Sequence, residues 1–143
     1  MFQDEYSKRV IGLSIDVHRI YGPGMLESAY EDILCIELAE ARIPFARQVS
    51  IPTEHKGHTI RNTYRADIVV GQDLLVELKA VEKLTYIHEA QMVTYLRLSG
   101  LRVGLLFNFN TIRLKDGMKR FVNTHEAHRP PGPHPHCNYT HEN

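Results

Sequence analysis

The chain has 143 residues, with 17 Lys plus Arg against 17 Asp plus Glu, and 43% of its residues are hydrophobic. A length close to roughly 150 residues predicts one domain, and the composition excludes a disordered or collagen-like chain. The balanced charge gives no overall attraction to nucleic acid or to a membrane, so charge has to be considered locally.

The sequence shows no sign of export or membrane insertion. No apolar run is long enough for a membrane span, and the first residues lack the basic-then-apolar order of a signal peptide. The two cysteines, Cys35 and Cys137, form no disulfide framework, and Cys35 lies among the apolar positions of a predicted helix. We therefore expect a soluble cytoplasmic protein.

Two helices are predicted in the first third of the chain. Apolar residues recur at three- and four-residue spacing over residues 4–20, and Gly22-Pro23-Gly24 interrupts the pattern. A second apolar stripe covers residues 26–41. Ser28 and Glu31 have the form of a capping box near its start, which leaves the first residue of this helix uncertain by a few positions.

From residue 45 the apolar period changes towards two, which is typical of strands. Strands are predicted at 45–51, 59–70, 74–80 and 101–109, with a helix at 86–98. The segments 112–114 and 119–122 flank Asp116-Gly117, which predicts a β-hairpin. This order of elements favours a single α/β domain with a central mixed sheet flanked by helices.

The last residues differ in composition from the rest. Residues 125–143 contain five histidines and four prolines, and almost nothing that could pack into a core. We expect a folded domain over residues 1–123 and a disordered, low-complexity tail over residues 124–143. The histidines and Cys137 match no spacing of a structural zinc site.

A carboxylate and an amine stand on one face of the predicted third strand. Glu77-Leu78-Lys79 places Glu77 and Lys79 two residues apart among apolar neighbours. If residues 71–73 form a three-residue hairpin loop, Asp67 lies directly across from Glu77, with their Cβ atoms roughly 5 Å apart. A two-residue loop would place Asp67 on the other face.

Two adjacent carboxylates repel each other and therefore favour a cation between them. With a lysine beside them, they suit a hard cation that keeps several waters, such as Mg²⁺ or Mn²⁺. Such a cation polarises a phosphoryl oxygen, and Lys79 could stabilise the developing charge. The alternative is a structural ion cluster of Asp67, Glu77 and Lys79 on an edge strand.

The third helix carries a polar stripe that could line the same cleft. His88, Gln91 and Tyr95 lie at positions i, i+3 and i+7, on one helix face. The alternative is an ordinary half-exposed helix face.

Taken together, these residues resemble a known family. Asp67, Glu77-Leu78-Lys79 and Gln91-Met92-Val93-Thr94-Tyr95 resemble the D…(D/E)xK…QxxxY pattern of the PD-(D/E)xK nuclease superfamily. The segment from Gly24 to Tyr30 resembles the signature of its GxxExxY branch, and the likeness covers about residues 5–122. Ala66 stands where the family pattern has proline, at a position that tolerates substitution.

The resemblance implies a restriction-endonuclease-like fold and a role for each matching residue. Asp67, Glu77 and the backbone carbonyl of Leu78 would bind Mg²⁺ or Mn²⁺, and Glu27 would join them directly or through water. Lys79 would be the catalytic lysine. Gln91 and Tyr95 would shape the site and contact the nucleic-acid backbone, whereas Tyr30 has no implied chemical role and suggests packing or anchoring through its hydroxyl. Without the resemblance, Glu27 would be read as a solvated glutamate at a helix start.

The expected activity is hydrolysis of phosphodiester bonds in nucleic acid, with DNA favoured over RNA. Six basic residues against one acid occur between residues 97 and 120, and with Arg61 and Arg65 they could form a phosphate-binding face or a solvated basic hairpin. One alternative is a catalytically silent module that binds nucleic acid or protein on a nuclease scaffold. Another is a dimerisation protein that uses residues 101–109 or the first helix, and a homodimer remains an option for the nuclease as well.

Overall fold

The computed structural model describes residues 5–124. Its elements in chain order are α1 (Glu5–Tyr21), α2 (Glu27–Glu40), β1 (Phe45–His55), β2 (His58–Val70), β3 (Leu74–Lys79), α3 (Tyr86–Ser99), β4 (Val103–Asn108), a short 3-10 helix (Leu114–Gly117) and β5 (Met118–Val122). Helices and strands therefore follow the predicted order up to β4. No helix among these residues has the length and apolar character of a membrane span.

The five strands form one mixed sheet in the order β1-β2-β3-β4-β5. The neighbours β1–β2, β2–β3 and β4–β5 are antiparallel. β3 and β4 are parallel, as strands joined by a helical crossover commonly are, and the crossover here is α3. The predicted α/β domain with a central mixed sheet and flanking helices is confirmed.

Two core clusters cover the two faces of this sheet. The first core cluster joins the sheet to α1 and α2 and includes Val10, Leu34, Ile68, Leu78 and Phe107. The second core cluster joins the sheet to α3 and includes Ala66, Val69, Leu75, Met92 and Leu106. Cys35 is 5% exposed, as expected for a core residue, and burial raises the pKa of its thiol to about 12.

β4 is buried on both faces, as its continuous apolar sequence predicts. It lies between β3 and β5, and each of its six residues is buried. The strand therefore cannot serve as the dimerisation surface that its sequence left open, because its side chains are already enclosed by the domain.

The predicted hairpin around Asp116-Gly117 is wrong. These residues end the 3-10 helix, and β5 pairs with β4 instead of with residues 112–114. Leu114 is drawn into the first core cluster, and Ile112 is 91% exposed. Two tertiary interactions replace the predicted hairpin: Leu114 is buried in the core, and β5 pairs with the edge of β4 that would otherwise be free.

The predicted capping box is also absent. Leu26 is the N-cap of α2, with no side-chain capping bond, and Glu31 bonds to residues of β1 instead. The proposed tail at 124–143 lies outside the described residues, apart from Thr124.

Candidate active site

Asp67 and Glu77 face each other at the point where β2 and β3 separate. Val70 pairs with Leu74 and Ile68 pairs with Val76, which confirms the predicted three-residue loop. Beyond that pair, bonds from backbone to side chain replace the backbone hydrogen bonds between β2 and β3. The Asp67 N–H donates to Glu77 Oε1 at 3.1 Å. The Leu78 N–H donates to Asp67 Oδ2 at 2.9 Å. Each carboxylate is therefore fixed by the backbone of the opposite strand.

β2 changes the face it presents to the core at Asp67. Ala66 belongs to the second core cluster, whereas Ile68 belongs to the first. On a flat strand these residues, two apart, would point to the same face. The strand is thus sharply twisted at Asp67, which accounts for the opening between β2 and β3.

The electrostatics of the pair show two carboxyl groups that resist simultaneous ionisation. Burial raises the pKa of Glu77 well above its ordinary value, and the Asp67 charge raises it further. Burial also raises the pKa of Asp67, while the Leu78 N–H and the Lys79 charge oppose that rise. Glu77 is only 5% exposed and β3 is a central strand, so these residues are not the surface cluster on an edge strand that the sequence left as an alternative.

Lys79 and Glu27 both lie at the carboxyl end of β3. Lys79 lies on the same face as Glu77, two residues on, and its charge lowers the pKa of both Asp67 and Glu77. Glu27 is the first residue of α2, and its Oε1 accepts the Ala80 N–H at 3.1 Å. The Glu27 charge also raises the pKa of Asp67, which places the two carboxylates within electrostatic reach.

Tyr30 anchors the loop that precedes Glu27. Its side chain is fully buried and stacks on Phe109 at 4.5 Å between ring centroids. Its hydroxyl donates to the Gly22 carbonyl and accepts the Met25 N–H at 3.2 Å. Tyr30 therefore holds both ends of the turn from α1 into α2. The structure supports anchoring through the hydroxyl as its role.

α3 places Tyr95 near the carboxylates. Its ring stacks on Tyr64 with centroids 3.7 Å apart, and the Tyr64 hydroxyl donates to the Tyr95 carbonyl. Burial and the charges of Glu77 and Asp67 raise the pKa of Tyr95. Gln91, one turn earlier, is half-buried. His88 caps α3 instead, since its Nδ1 accepts the Thr85 N–H at 2.9 Å.

A network around Gln48 was missed by sequence reasoning. Gln48 Nε2 donates to Glu31 Oε1 at 2.8 Å and lies 3.5 Å from Asp67 Oδ1. Glu31 also accepts a bond of 2.8 Å from Arg47, which contacts Asp32 as well. In the sequence, Arg47 and Gln48 look like the solvated side of a strand, and Glu31 and Asp32 look like the solvated side of a helix. No local pattern therefore indicates that these two polar segments are bonded to each other.

Asn108, at the end of β4, is a second residue that the sequence did not single out. It is 2% exposed, its Oδ1 accepts the Val81 N–H, and its Nδ2 donates to the Val81 carbonyl. This pair of bonds fixes the segment that follows Lys79. The signal available in the sequence was a polar residue near the end of an otherwise apolar strand.

Carboxylate oxygens of the kind supplied by Glu27, Asp67 and Glu77 suit a hard divalent cation, although they do not surround a single point in this structure. Among residues 5–124, no three His, Cys, Asp or Glu side chains are grouped closely enough to hold a metal ion. The buried, mutually repelling Asp67 and Glu77 nevertheless favour positive charge between them. The Leu78 carbonyl points to the same side as its N–H, towards Asp67, because both groups of a strand residue face the same neighbour.

Basic and apolar side chains together line a surface cavity at the same end of the sheet. The cavity has a volume of about 410 Å³, and its lining includes His18, Arg19, Arg113 and Lys115. Arg113 lies in the segment between the end of β4 and the 3-10 helix, and β4 runs parallel to β3, so this segment follows the carboxyl end of the sheet's two parallel strands. Of the predicted basic face, Lys119 is paired with Glu89 at 2.8 Å.

Comparison with known proteins identifies the family. A family model described as the PD-(D/E)XK nuclease superfamily matches residues 4–121. No curated protein matches the chain. Among solved structures, the crystal structure of SSO0001 is similar with a TM-score of 0.45 and 22% identity, over 86% of this chain and 63% of that one. The chain thus spans less than two thirds of that protein. Because the family model covers most of the sequence, the chain belongs to the PD-(D/E)XK nuclease superfamily.

Proposed function

We propose that the protein is a metal-dependent nuclease of the GxxExxY branch that hydrolyses phosphodiester bonds in nucleic acid, with DNA as the favoured substrate. The observation that carries the proposal is the convergence of Glu27, Asp67, Glu77 and Lys79 at the carboxyl end of β3. Glu27 comes from α2, Asp67 from β2, and Glu77 and Lys79 from β3. A buried pair of carboxyl groups beside a lysine, with raised pKa values, is typical of a functional site.

Asp67, Glu77 and the Leu78 carbonyl would bind Mg²⁺ or Mn²⁺, with Glu27 as a direct or water-mediated ligand. When bound, such an ion supplies Lewis acidity that stabilises charge on a phosphoryl oxygen and lowers the pKa of water. The backbone bonds to Asp67 and Glu77 fix the position of these two side chains on the sheet.

Lys79 and α3 contribute the other functions. Lys79 places an ammonium group beside the carboxylates, where it would stabilise the negative charge that develops on the phosphate during in-line attack. Gln91 and Tyr95 lie on the neighbouring face of α3 and would hold the nucleic-acid backbone. The basic cavity near Arg113 would bind a further phosphate of the same strand.

A silent binding module is the second candidate, and one observation favours it. Three of the carboxylate oxygens already accept backbone N–H bonds, and no three acids are grouped into a cage within residues 5–124. Such a protein would bind DNA in EDTA with strong salt dependence and would not cut it when Mg²⁺ is added.

The test combines calorimetry with cleavage on the full chain. Mg²⁺ is titrated into wild type, Asp67→Asn, Lys79→Met and the control Asp16→Ala, whose carboxylate lies on the exposed face of α1. Cleavage of DNA and RNA, single- and double-stranded, is then measured. Mg²⁺ is chosen because carboxylates suit it, whereas the imidazoles of residues 125–143 favour other metals.

We expect Asp67→Asn to lose Mg²⁺ binding and cleavage, because the ligand charge is removed while the shape is kept. Lys79→Met should keep Mg²⁺ binding and lose cleavage by a factor of about 100 or more. Asp16→Ala should resemble wild type. Cleavage that survives in both Asp67→Asn and Lys79→Met would refute this site, and DNA binding without any cleavage would favour the silent module.

A further inference from the structure

Gln48 occupies a strained position directly opposite Asp67. The ladder pairs on either side join Arg47 to Ile68 and Val49 to Ala66, so Gln48 and Asp67 face each other between them. Gln48 has a φ of 51°, in the left-handed region that favours glycine and is rare within a strand. Strain of this kind persists only where the surrounding structure enforces it, and it is concentrated at functional sites.

The strain is not explained by packing. Gln48 is exposed and belongs to neither core cluster. Glycine would adopt the same backbone conformation without a steric penalty. The reason for a glutamine at this position therefore lies in the bonds that its side chain makes.

The side chain is held between two carboxylates. Gln48 Nε2 donates to Glu31 Oε1 at 2.8 Å, which fixes the direction of the amide. The same nitrogen lies 3.5 Å from Asp67 Oδ1. Because an amide nitrogen carries two N–H groups, one can serve each carboxylate. The long contact orients Asp67 Oδ1 without saturating its lone pairs.

Glu31 is itself anchored. It is 7% exposed and accepts bonds from Arg47 Nε and from the Arg47 terminal nitrogen, at 3.2 and 2.8 Å. These bonds join Glu31 on α2 to Arg47 and Gln48 on β1, and Gln48 is the residue among them that contacts Asp67. Asp67 is thus held on one oxygen by the backbone of β3 and on the other by the side chain of Gln48.

We propose that Gln48 is a positioning residue for the metal site: with Glu31 and Arg47 behind it, it aims Asp67 Oδ1 at the cation. The inference rests on the proposed function, since it assigns Gln48 a task only if Asp67 is a metal ligand. Groups that orient a ligand in this way commonly contribute a factor of about 10 to 100 to metal affinity.

The test exploits the unusual backbone of this residue. Gln48→Gly removes the side chain and its bond to Glu31 but also relieves the left-handed strain, so its Tm should be higher than that of Gln48→Ala. Its affinity for Mg²⁺, measured by calorimetry on the full chain, should nevertheless fall by about 10-fold or more. Gln48→Ala keeps the strain and loses the bonds, so it should lower both the Tm and the affinity.

Lys56→Gly is the matched control. Lys56 has a φ of 49° and lies in the turn between β1 and β2, away from the carboxylates. Its replacement relieves the same kind of strain, so it should leave Mg²⁺ affinity unchanged and the Tm equal or higher. If Gln48→Gly binds Mg²⁺ as tightly as wild type, the positioning role is refuted while the proposed function stands. If wild type itself binds no Mg²⁺, the proposed function is refuted, and the positioning role is refuted with it.

Discussion

Replacing Tyr30 by phenylalanine tests how the loop before Glu27 is held. The substitution keeps the ring and its stacking on Phe109 but removes the hydroxyl that bonds to the Gly22 carbonyl and the Met25 N–H. Both bonds are partly buried, and a typical intramolecular hydrogen bond contributes about 1 kcal/mol. We therefore expect a loss of about 2 kcal/mol, which corresponds to a fall in Tm of roughly 6 to 10 °C.

The assay is urea unfolding of the full chain followed by circular dichroism. The midpoint should fall while the slope m stays unchanged, because the same surface is exposed on unfolding. Tyr86→Phe is the matched control, since Tyr86 is 76% exposed and should show no change. A Tyr30→Phe midpoint equal to that of wild type would refute the reasoning that the hydroxyl holds the loop.

Two further predictions concern packing and pH. Gly117→Ala would place a Cβ 2.5 Å from the Asn108 carbonyl oxygen, so we expect a loss of about 1 to 3 kcal/mol in chemical unfolding. Gly12→Ala meets nothing within 4 Å in α1 and should stabilise the protein by about 0.5 to 1 kcal/mol; equal midpoints for the two variants would contradict the steric argument. The raised pKa of Glu77 means that the folded protein binds this proton more tightly than the unfolded chain does. Without Mg²⁺, the contribution of this group to stability should therefore be fully present below its usual pKa of 4.5 and be lost as the pH rises through the raised pKa. Glu77→Gln should flatten this part of the profile, and an unchanged slope in pH-dependent melting curves would show that another group is responsible.

Much of the site could be predicted from the sequence because its central feature is local. Asp67 and Glu77 are joined by one short hairpin, and a three-residue loop between alternating strands leaves a single register that brings them together. Glu77 and Lys79 share a face of β3 because side chains alternate between the two faces of a strand, so residues two apart lie on the same side. Glu27 was expected near the start of a helix, but only its family signature connected it with the other acids.

The misread elements share one cause. Ser28 and Glu31 have the spacing of a capping box, and Asp116-Gly117 has the form of a hairpin turn. In the structure Glu31 bonds to Arg47 and Gln48, and β5 pairs with β4. In both cases a contact distant in sequence replaced the local one, because it satisfied a buried carboxylate or closed a sheet edge.

The sequence by itself determined the helices, the strands up to β4 and the superfamily, since each depends on residue types at short spacing. It limited the loop between β2 and β3 to a choice between two and three residues. Only the tertiary structure decided that β4 lies parallel to β3, that β2 twists at Asp67, and that Glu31 reaches Gln48. These features depend on which elements meet across the core. The spacing of apolar and polar residues specifies whether a segment forms a helix or a strand. Which strands pair, and where the backbone is strained as at Gln48, depends on how the elements pack against one another.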